Sequence, residues 1–337
     1  MRFALIGAGA IGTVHARLIE ALGSEADLVA VVDQNLERAG KLVEQHGGKA
    51  YATPAAAYAA EELDAAAICL PSALHADAAV EALQAGKHVI IEKPVDITLA
   101  AADRVIEAQR STGLTVSVIS QRRFQPPVAQ IRAAIDSGAL GRVTSGIAES
   151  AFFRPQSYYD GDDWRGTLAI DGGGALMNQG IHALDLLVWM LGRPVQVSAQ
   201  TGRLAHEGIE VEDLAGASIL FESGAIGLML ASTAAYPGRP VRLTIHGDQG
   251  TAVLDDDQLA YFATAEGALP EATLLDGPAD WGPVELAHLA QYRDFIAAVR
   301  DGRAPSVSLE AGRRSLATVL AVYQSARTGR PVELKED

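Results

Sequence analysis

Apolar and polar positions alternate with one rhythm over the first 120 residues. Short apolar runs occupy Phe3–Ile6, Leu28–Val32, Ala65–Leu70, His88–Ile91 and Thr115–Ile119. Between them lie segments of helical spacing: His15–Leu22, Asn35–Gln45, His75–Ala85 and Thr98–Arg110. Thr53-Pro54 and Thr98 read as helix starts, Gly86 and Gly113 as helix stops. Strand–helix–strand alternation predicts a parallel sheet with helices on both faces.

The rhythm changes after Gln121. Pro126-Pro127 punctuate the chain, and a helix is expected over Val128–Asp136. Strand-like runs follow at Val143–Phe153, Val195–Thr201, Leu214–Phe221, Ala225–Ser232, Val241–His246 and Thr251–Leu254. Turn residues separate them, which predicts an antiparallel sheet. One helix, Ala175–Leu191, interrupts the series; two more, near Glu285–Arg300 and Ser308–Thr328, close it. The pattern divides the chain into an α/β domain, 1–122, and an α+β domain, 123–337.

The net charge of −15 argues against a nucleic-acid partner, which needs clustered Lys and Arg, and against an anionic membrane surface. No apolar run reaches the ~18–20 residues of a membrane span. Cys69 is the single cysteine, so neither a disulfide framework nor a Cys-rich metal site is expected, and a cytoplasmic setting fits. Phe3–Ile11 after Met1-Arg2 has some flavour of a signal peptide, but a strand running into glycines explains it better.

Gly7-Ala8-Gly9-Ala10-Ile11-Gly12 is G-x-G-x-x-G between an expected strand and an expected helix. The first glycine permits a tight turn, the second lets backbone approach a pyrophosphate, and the third lets helix pack on strand. The phosphates would meet the free N–H groups of the helix start. Asp33 ends the next strand, where an acid holds the adenosine ribose. A carboxylate there repels a 2′-phosphate, and the next residue is Gln34, so NAD is expected rather than NADP. On the glycine motif alone, S-adenosylmethionine enzymes are the rival.

Ligands of such sheets bind beyond the carboxyl ends of the strands. Leu70, Pro71, Ser72 and His75 follow one strand, Glu92-Lys93-Pro94 the next, and Gln121 the last. With Gly7, Gly9, Ala10, Ile11, Gly12 and Asp33, these are the candidate cofactor-binding residues. The Lys93–Pro94 bond is a candidate cis peptide. Asp171-Gly172-Gly173-Gly174 precedes a helix that sets Asn178, His182 and Asp185 on one face. The glycines let backbone pass close to something at the helix start. No second His stands at ligand spacing from His182, so no metal is expected. Upstream, Arg154, Tyr158, Trp164 and Arg165 suit a polyhydroxy ring, or a carboxylate or phosphate if the arginines act.

The stretch Leu74-His75-Ala76 through Ala85-Gly86-Lys87-His88-Val89-Ile90-Ile91-Glu92-Lys93-Pro94, with the two glycine motifs and His182, resembles the Gfo/Idh/MocA oxidoreductases. The resemblance covers nearly the whole chain. It implies a doubly wound Rossmann domain followed by a mixed, mostly antiparallel open-sheet domain that pairs in homodimers or homotetramers. Lys93 and His182 match the family's active-site Lys and His. Where the family commonly carries Asp, this chain has Asn178, which orients a hydroxyl but cannot raise an imidazole pKa by charge. Asn178–His182 resembles a subset acting on sugars, some nucleotide-linked.

The reading is an NAD-dependent dehydrogenase of a sugar or cyclitol. The candidate catalytic residues are Lys93, His182 and Asn178. Substrate contacts are expected from Lys93, Arg154, Tyr158, Trp164, Arg165, Asn178 and His182. Two alternatives are a redox-neutral glycosidase of the same fold and a non-catalytic dinucleotide sensor.

Overall fold

The computed structural model describes residues 1–161, 163–265, 271–272 and 274–335. The chain forms two units. One holds Met1–Gln121 and Asp276–Arg313; the other holds Arg122–Leu275 and Arg314–Asp337. The segment 276–313, well beyond the expected boundary at 122, thus belongs with the first unit.

The first unit is a six-stranded parallel sheet ordered β3-β2-β1-β4-β5-β6. Its strands are β1 (Arg2–Ile6), β2 (Asp27–Val32), β3 (Lys49–Tyr51), β4 (Ala65–Ile68), β5 (His88–Ile91) and β6 (Val116–Val118). Helices α1 (Ala10–Ala21), α2 (Leu36–His46), α3 (Pro54–Ala60), α4 (His75–Gln84) and α5 (Leu99–Thr112) connect them. Caps set these helices as the sequence predicts. Thr53 and Thr98 side chains accept from Ala56 N–H (3.3 Å) and Ala101 N–H (3.2 Å). Gly113 ends α5 at φ +68°. The strands read as apolar runs because the sheet is covered. Phe3, Leu5, Val31 and Ala67 pack against Leu18 and Ile19 of α1, and against Tyr292 and Phe295 of a later helix, Pro283–Asp301. Strand order reverses between β1 and β4, where the glycine loop and residues 69–72 emerge. Such a switch point is where ligands of these sheets bind.

The second unit is an eight-stranded sheet ordered β13-β12-β11-β7-β10-β9-β8-β14. The strands are β7 (Val143–Ala151), β8 (Pro194–Gly202), β9 (Leu214–Phe221), β10 (Ile226–Ser232), β11 (Arg242–Gly247), β12 (Gly250–Asp255), β13 (Gln258–Thr264) and β14 (Val332–Glu333). All neighbours are antiparallel except β7 and β10, which run parallel, so the sheet is mixed and mostly antiparallel, as the family resemblance implies. Helices α6 (Pro126–Asp136), α7 (Gln156–Asp160) and α8 (Ile181–Leu191) belong to this unit. The first unit adds α9 (Pro283–Asp301), and α10 (Leu309–Thr328) lies mostly in the second. The helix expected over Ala175–Leu191 is two pieces: a π-helical turn, Ala175–Gly180, then α8. Gly180 sits on β10, where an added Cβ would lie 2.6 Å from that of Ala231.

Candidate active site

In the first unit, the three loop glycines do three different jobs. Gly7 has φ +105°, and a Cβ there would stand 2.4 Å from the Cys69 carbonyl oxygen. At Gly12 a Cβ would meet the Gly7 carbonyl oxygen at 2.0 Å, so only glycine lets α1 lie against the turn. A Cβ on Gly9 would meet nothing within 4 Å. Gly9 is also the N-cap of α1 and makes no side-chain cap. The helix therefore begins uncapped by any side chain, with open space beside Gly9, the arrangement a pyrophosphate needs. Asp33 is tied to this loop: its carboxylate accepts from Ala8 N–H (2.9 Å) and Asn35 N–H (2.8 Å). Arg38 is exposed on α2. The cradle, the acid and the uncapped helix fit a dinucleotide.

Leu70, Pro71 and Ser72 follow β4 at the switch point, with Ser72 buried. His75 is buried at the start of α4. Its ring nitrogens lie 2.7 Å from the Leu70 carbonyl oxygen and 2.6 Å from that of Pro94. It staples two loop ends together, so its contacts are to backbone. Burial pushes its imidazole down, against those carbonyl hydrogen bonds. Gln121 follows β6 with its side-chain carbonyl oxygen buried and lacking a hydrogen-bond partner.

Glu92, expected among the cofactor-binding residues, is buried. One carboxylate oxygen pairs with His15 Nε2 (3.0 Å); the other accepts Lys93 N–H (3.0 Å). His15 Nδ1 lies 2.6 Å from the Tyr292 hydroxyl. Burial opposes ionisation of Glu92. The hydrogen bond and charge of His15, with Lys93 and His288, outweigh it and hold the carboxyl well below the usual carboxylate range. Ligand-type atoms of His15, Glu92 and His288 lie within 4.8 Å of one another, and the first two already bond to each other. His15 gave a sequence signal, three residues after the glycine motif, that was read only as helix. The Lys93–Pro94 bond is cis.

In the second unit, the run Gly172–Gly174 approaches protein. A Cβ on Gly174 would lie 1.8 Å from the Glu212 carbonyl oxygen, and one on Gly173 2.2 Å from the Tyr323 hydroxyl. The Glu212 carboxylate accepts from Gly174 N–H (2.9 Å), Leu176 N–H (2.9 Å) and Tyr323 O–H (2.9 Å). These bonds satisfy the start of the helical run. Burial pushes the Glu212 carboxyl up, against those donors.

His182 is half-buried on α8. Asn178, in the π-helical turn, donates to Asp171 and to the Gly173 carbonyl oxygen (3.3 Å). Asp171 also accepts Gly166 N–H (2.9 Å). A carboxylate therefore stands one hydrogen bond from Asn178, which the residue types on the helix did not reveal. Asp185 was expected beside His182. It is buried in an ion pair with Arg123 (2.6 Å) and accepts from Ser315 (2.8 Å). Those partners are 62 and 130 residues away in sequence, and the pairing fixes α8. Arg154, Tyr158, Trp164 and Arg165 do cluster: Arg165 donates to the Tyr158 hydroxyl (2.6 Å) and its guanidinium lies 4.6 Å from the Trp164 ring centre.

Residues 1–120 match the oxidoreductase family with an NAD-binding Rossmann fold, and residues 128–253 match the GFO/IDH/MocA C-terminal domain. The chain belongs to the Gfo/Idh/MocA oxidoreductase family. It is 29% identical to myo-inositol 2-dehydrogenase of Thermotoga maritima, covering 100% of this chain and 99% of that one. Identity to D-apiose dehydrogenase of Paraburkholderia graminis is 30%, over 98% and 89% of the two chains. The WlbA dehydrogenase from Bordetella pertussis, crystallised with NADH and UDP-GlcNAcA, superposes at a TM-score of 0.91 with 30% identity, over 100% and 98% of the chains. As a member of this family, the protein is an oxidoreductase with an NAD-binding domain. Among the described residues no helix is long and apolar enough to cross a membrane.

Proposed function

We propose that the protein oxidises a carbinol carbon of a sugar or cyclitol with NAD in preference to NADP. The observation that carries this reading is Lys93 anchored, through its backbone N–H, to an ionised, buried Glu92 in the same unit as the dinucleotide cradle. When bound, NAD supplies a hydride acceptor at C4 of the nicotinamide. Lys93 and His182 then share the proton work. One takes the hydroxyl proton as hydride leaves the carbon, and the other polarises the oxygen. Asn178 orients a neighbouring hydroxyl, with its amide steadied by Asp171. The units 1–121 with 276–313 and 122–275 with 314–337 divide the labour between cofactor and substrate.

The outer face of the second sheet supports a homo-oligomer. Ile147, Leu220, Ile226, Leu228 and Leu230 are 39–51% exposed, and Ile147 pairs Leu228 in register across β7 and β10. A contiguous exposed apolar face of this kind marks an interface. A single buried, free cysteine suits the reducing cytoplasm.

The test is a panel of inositols, hexoses, hexosamines and uronic acids, followed by NADH absorbance with NAD and with NADP. Oxidation of at least one member, with NAD favoured in kcat/KM, is the expected result. Bond cleavage without net NADH would assign the redox-neutral glycosidase instead.

A further inference from the structure

Arg154 contrasts with three other partly or fully buried arginines of the second unit. Arg122, Arg123 and Arg132 each hold an aspartate: Asp257, Asp185 and Asp136. Arg154 makes no ion pair with any described residue. Its Nη2 donates to the neutral amide oxygen of Gln179 (3.2 Å), and its Nε is buried with no hydrogen-bond partner. Its guanidinium carbon lies 5.2 Å from the Tyr158 ring centre and 5.7 Å from that of Phe152. The same Tyr158 ring carries a second guanidinium, Arg165, at 4.5 Å.

Two cations gathered on one ring repel each other, and ring contacts compensate only part of the cost of desolvating a charge. The chain is rich in acids, yet Arg154 pairs with none among the described residues. The residue is also held firmly. Its backbone N–H donates to the Thr233 carbonyl (2.8 Å), and its own carbonyl oxygen lies 2.8 Å from His206 Nε2. His206 is in turn fixed by Asp213 (3.1 Å). A charge kept unpaired on a rigid support is an anion receptor in waiting. Gln179, which accepts from the Arg154 guanidinium, lies three residues before His182 on the same helical run.

We infer that Arg154 receives an oxyanion carried by the substrate, so that the substrate is an acidic sugar derivative rather than a neutral polyol. The inference rests on the dehydrogenase reading above and narrows its substrate class. A carboxylate or a phosphate matches the planar fork of the guanidinium equally well. The anion is therefore either a uronate carboxylate on the oxidised sugar or the phosphate of a nucleotide-linked sugar.

The experiment compares glucose, glucuronate, UDP-glucose and UDP-glucuronate in NAD reduction, and in calorimetric binding to the NADH-loaded protein. An acidic member should exceed glucose by at least tenfold in kcat/KM and in affinity. Glucuronate alone exceeding glucose assigns the carboxylate; UDP-glucose exceeding glucose assigns the phosphate. Arg154→Gln should shrink that advantage by on the order of 10–100-fold, mostly through KM, the range expected for hydrogen bonds to a charged group. Arg154→Lys should restore part of it as a point charge. Equal use of glucose and its acidic counterparts by the wild type would overturn the inference while leaving the dehydrogenase reading intact. So would an Arg154→Gln variant, folded by circular dichroism, that lowers every substrate by one common factor. Reduction of NAD by no carbohydrate in this panel or the wider one would overturn the dehydrogenase reading itself, and this inference with it.

Discussion

Two glycine runs precede two helices in this protein, and they are opposites. At Gly9 the backbone faces open space, and α1 starts without a side-chain cap. At Gly174 the backbone is pressed against Glu212, whose carboxylate occupies the helix start. The first run leaves the helix start without a side-chain cap; in the second, a protein carboxylate takes that place. The buried glutamates beside the two runs differ in the same sense. Glu92 is drawn down by His15 despite its burial, and Glu212 is pushed up by burial despite its three donors. Glycine before a helix thus says that something comes close, and only the environment says whether it is a ligand.

The largest expected effect separates chemistry from the open run. Lys93→Met should lower kcat by roughly 10²–10⁴-fold, the usual contribution of an acid–base group. NADH binding, read by fluorescence, should persist because the Gly7–Gly12 loop is untouched. A variant keeping a tenth of the wild-type rate would remove Lys93 from the proton transfer.

A pair of alanine substitutions tests the contrast itself. Gly174→Ala forces a methyl into the Glu212 carbonyl, so about 1–3 kcal/mol of overpacking cost is expected, a Tm loss of several degrees. Gly9→Ala meets no atom, and its φ of −79° suits any residue, so Tm should stay within a degree. Its methyl would instead occupy the dinucleotide's space and weaken NAD binding on the order of tenfold or more. A Gly9→Ala protein that binds NAD normally would break the comparison.

Much of this was legible beforehand because it is local. Period-two and period-3.6 patterns located most elements, and Thr53, Thr98 and Gly113 announced their caps. The three-residue β3, with Lys49 exposed, and the two-residue β14 carry too little pattern to read. The parallel register of β7 with β10 joins residues some 80 apart, and nothing in either strand encodes direction. Among the candidate residues, Lys93, His182 and the glycine loop were visible as motifs. The partners of Asp185, Glu92 and Gly174 were not, since Arg123, His15 and Glu212 lie far away in sequence and meet them only through packing.

The pH response should expose the difference between the two glutamates. The folded pKa of Glu92 lies below its ordinary 4.5. Its ionised form therefore adds stability that is fully present above that pH and is lost as pH falls toward the folded value. Glu92→Gln should give a lower Tm at pH 7 and a shallower fall in Tm below pH 4.5. His75, whose pKa burial lowers, adds a loss starting below about pH 6.5 that both proteins share. Parallel acid limbs for wild type and variant would mean that Glu92 is not held ionised.

The smallest effect concerns Asp33, which belongs to the open run by hydrogen bonding rather than by packing. Its carboxylate takes Ala8 N–H and Asn35 N–H, so it both shapes the loop and presents negative charge beside it. That charge discriminates against a 2′-phosphate, and exposed Arg38 offers no compensating grip from the loop itself. Asp33→Asn keeps an acceptor for one backbone N–H and removes the charge. It should narrow the NAD-over-NADP ratio of kcat/KM by about tenfold or less, mainly by relieving repulsion of NADP. Asp33→Ala removes both functions and should narrow the ratio chiefly by weakening NAD. If both variants keep the wild-type ratio, the preference does not come from Asp33, and the open run selects its ligand by shape alone.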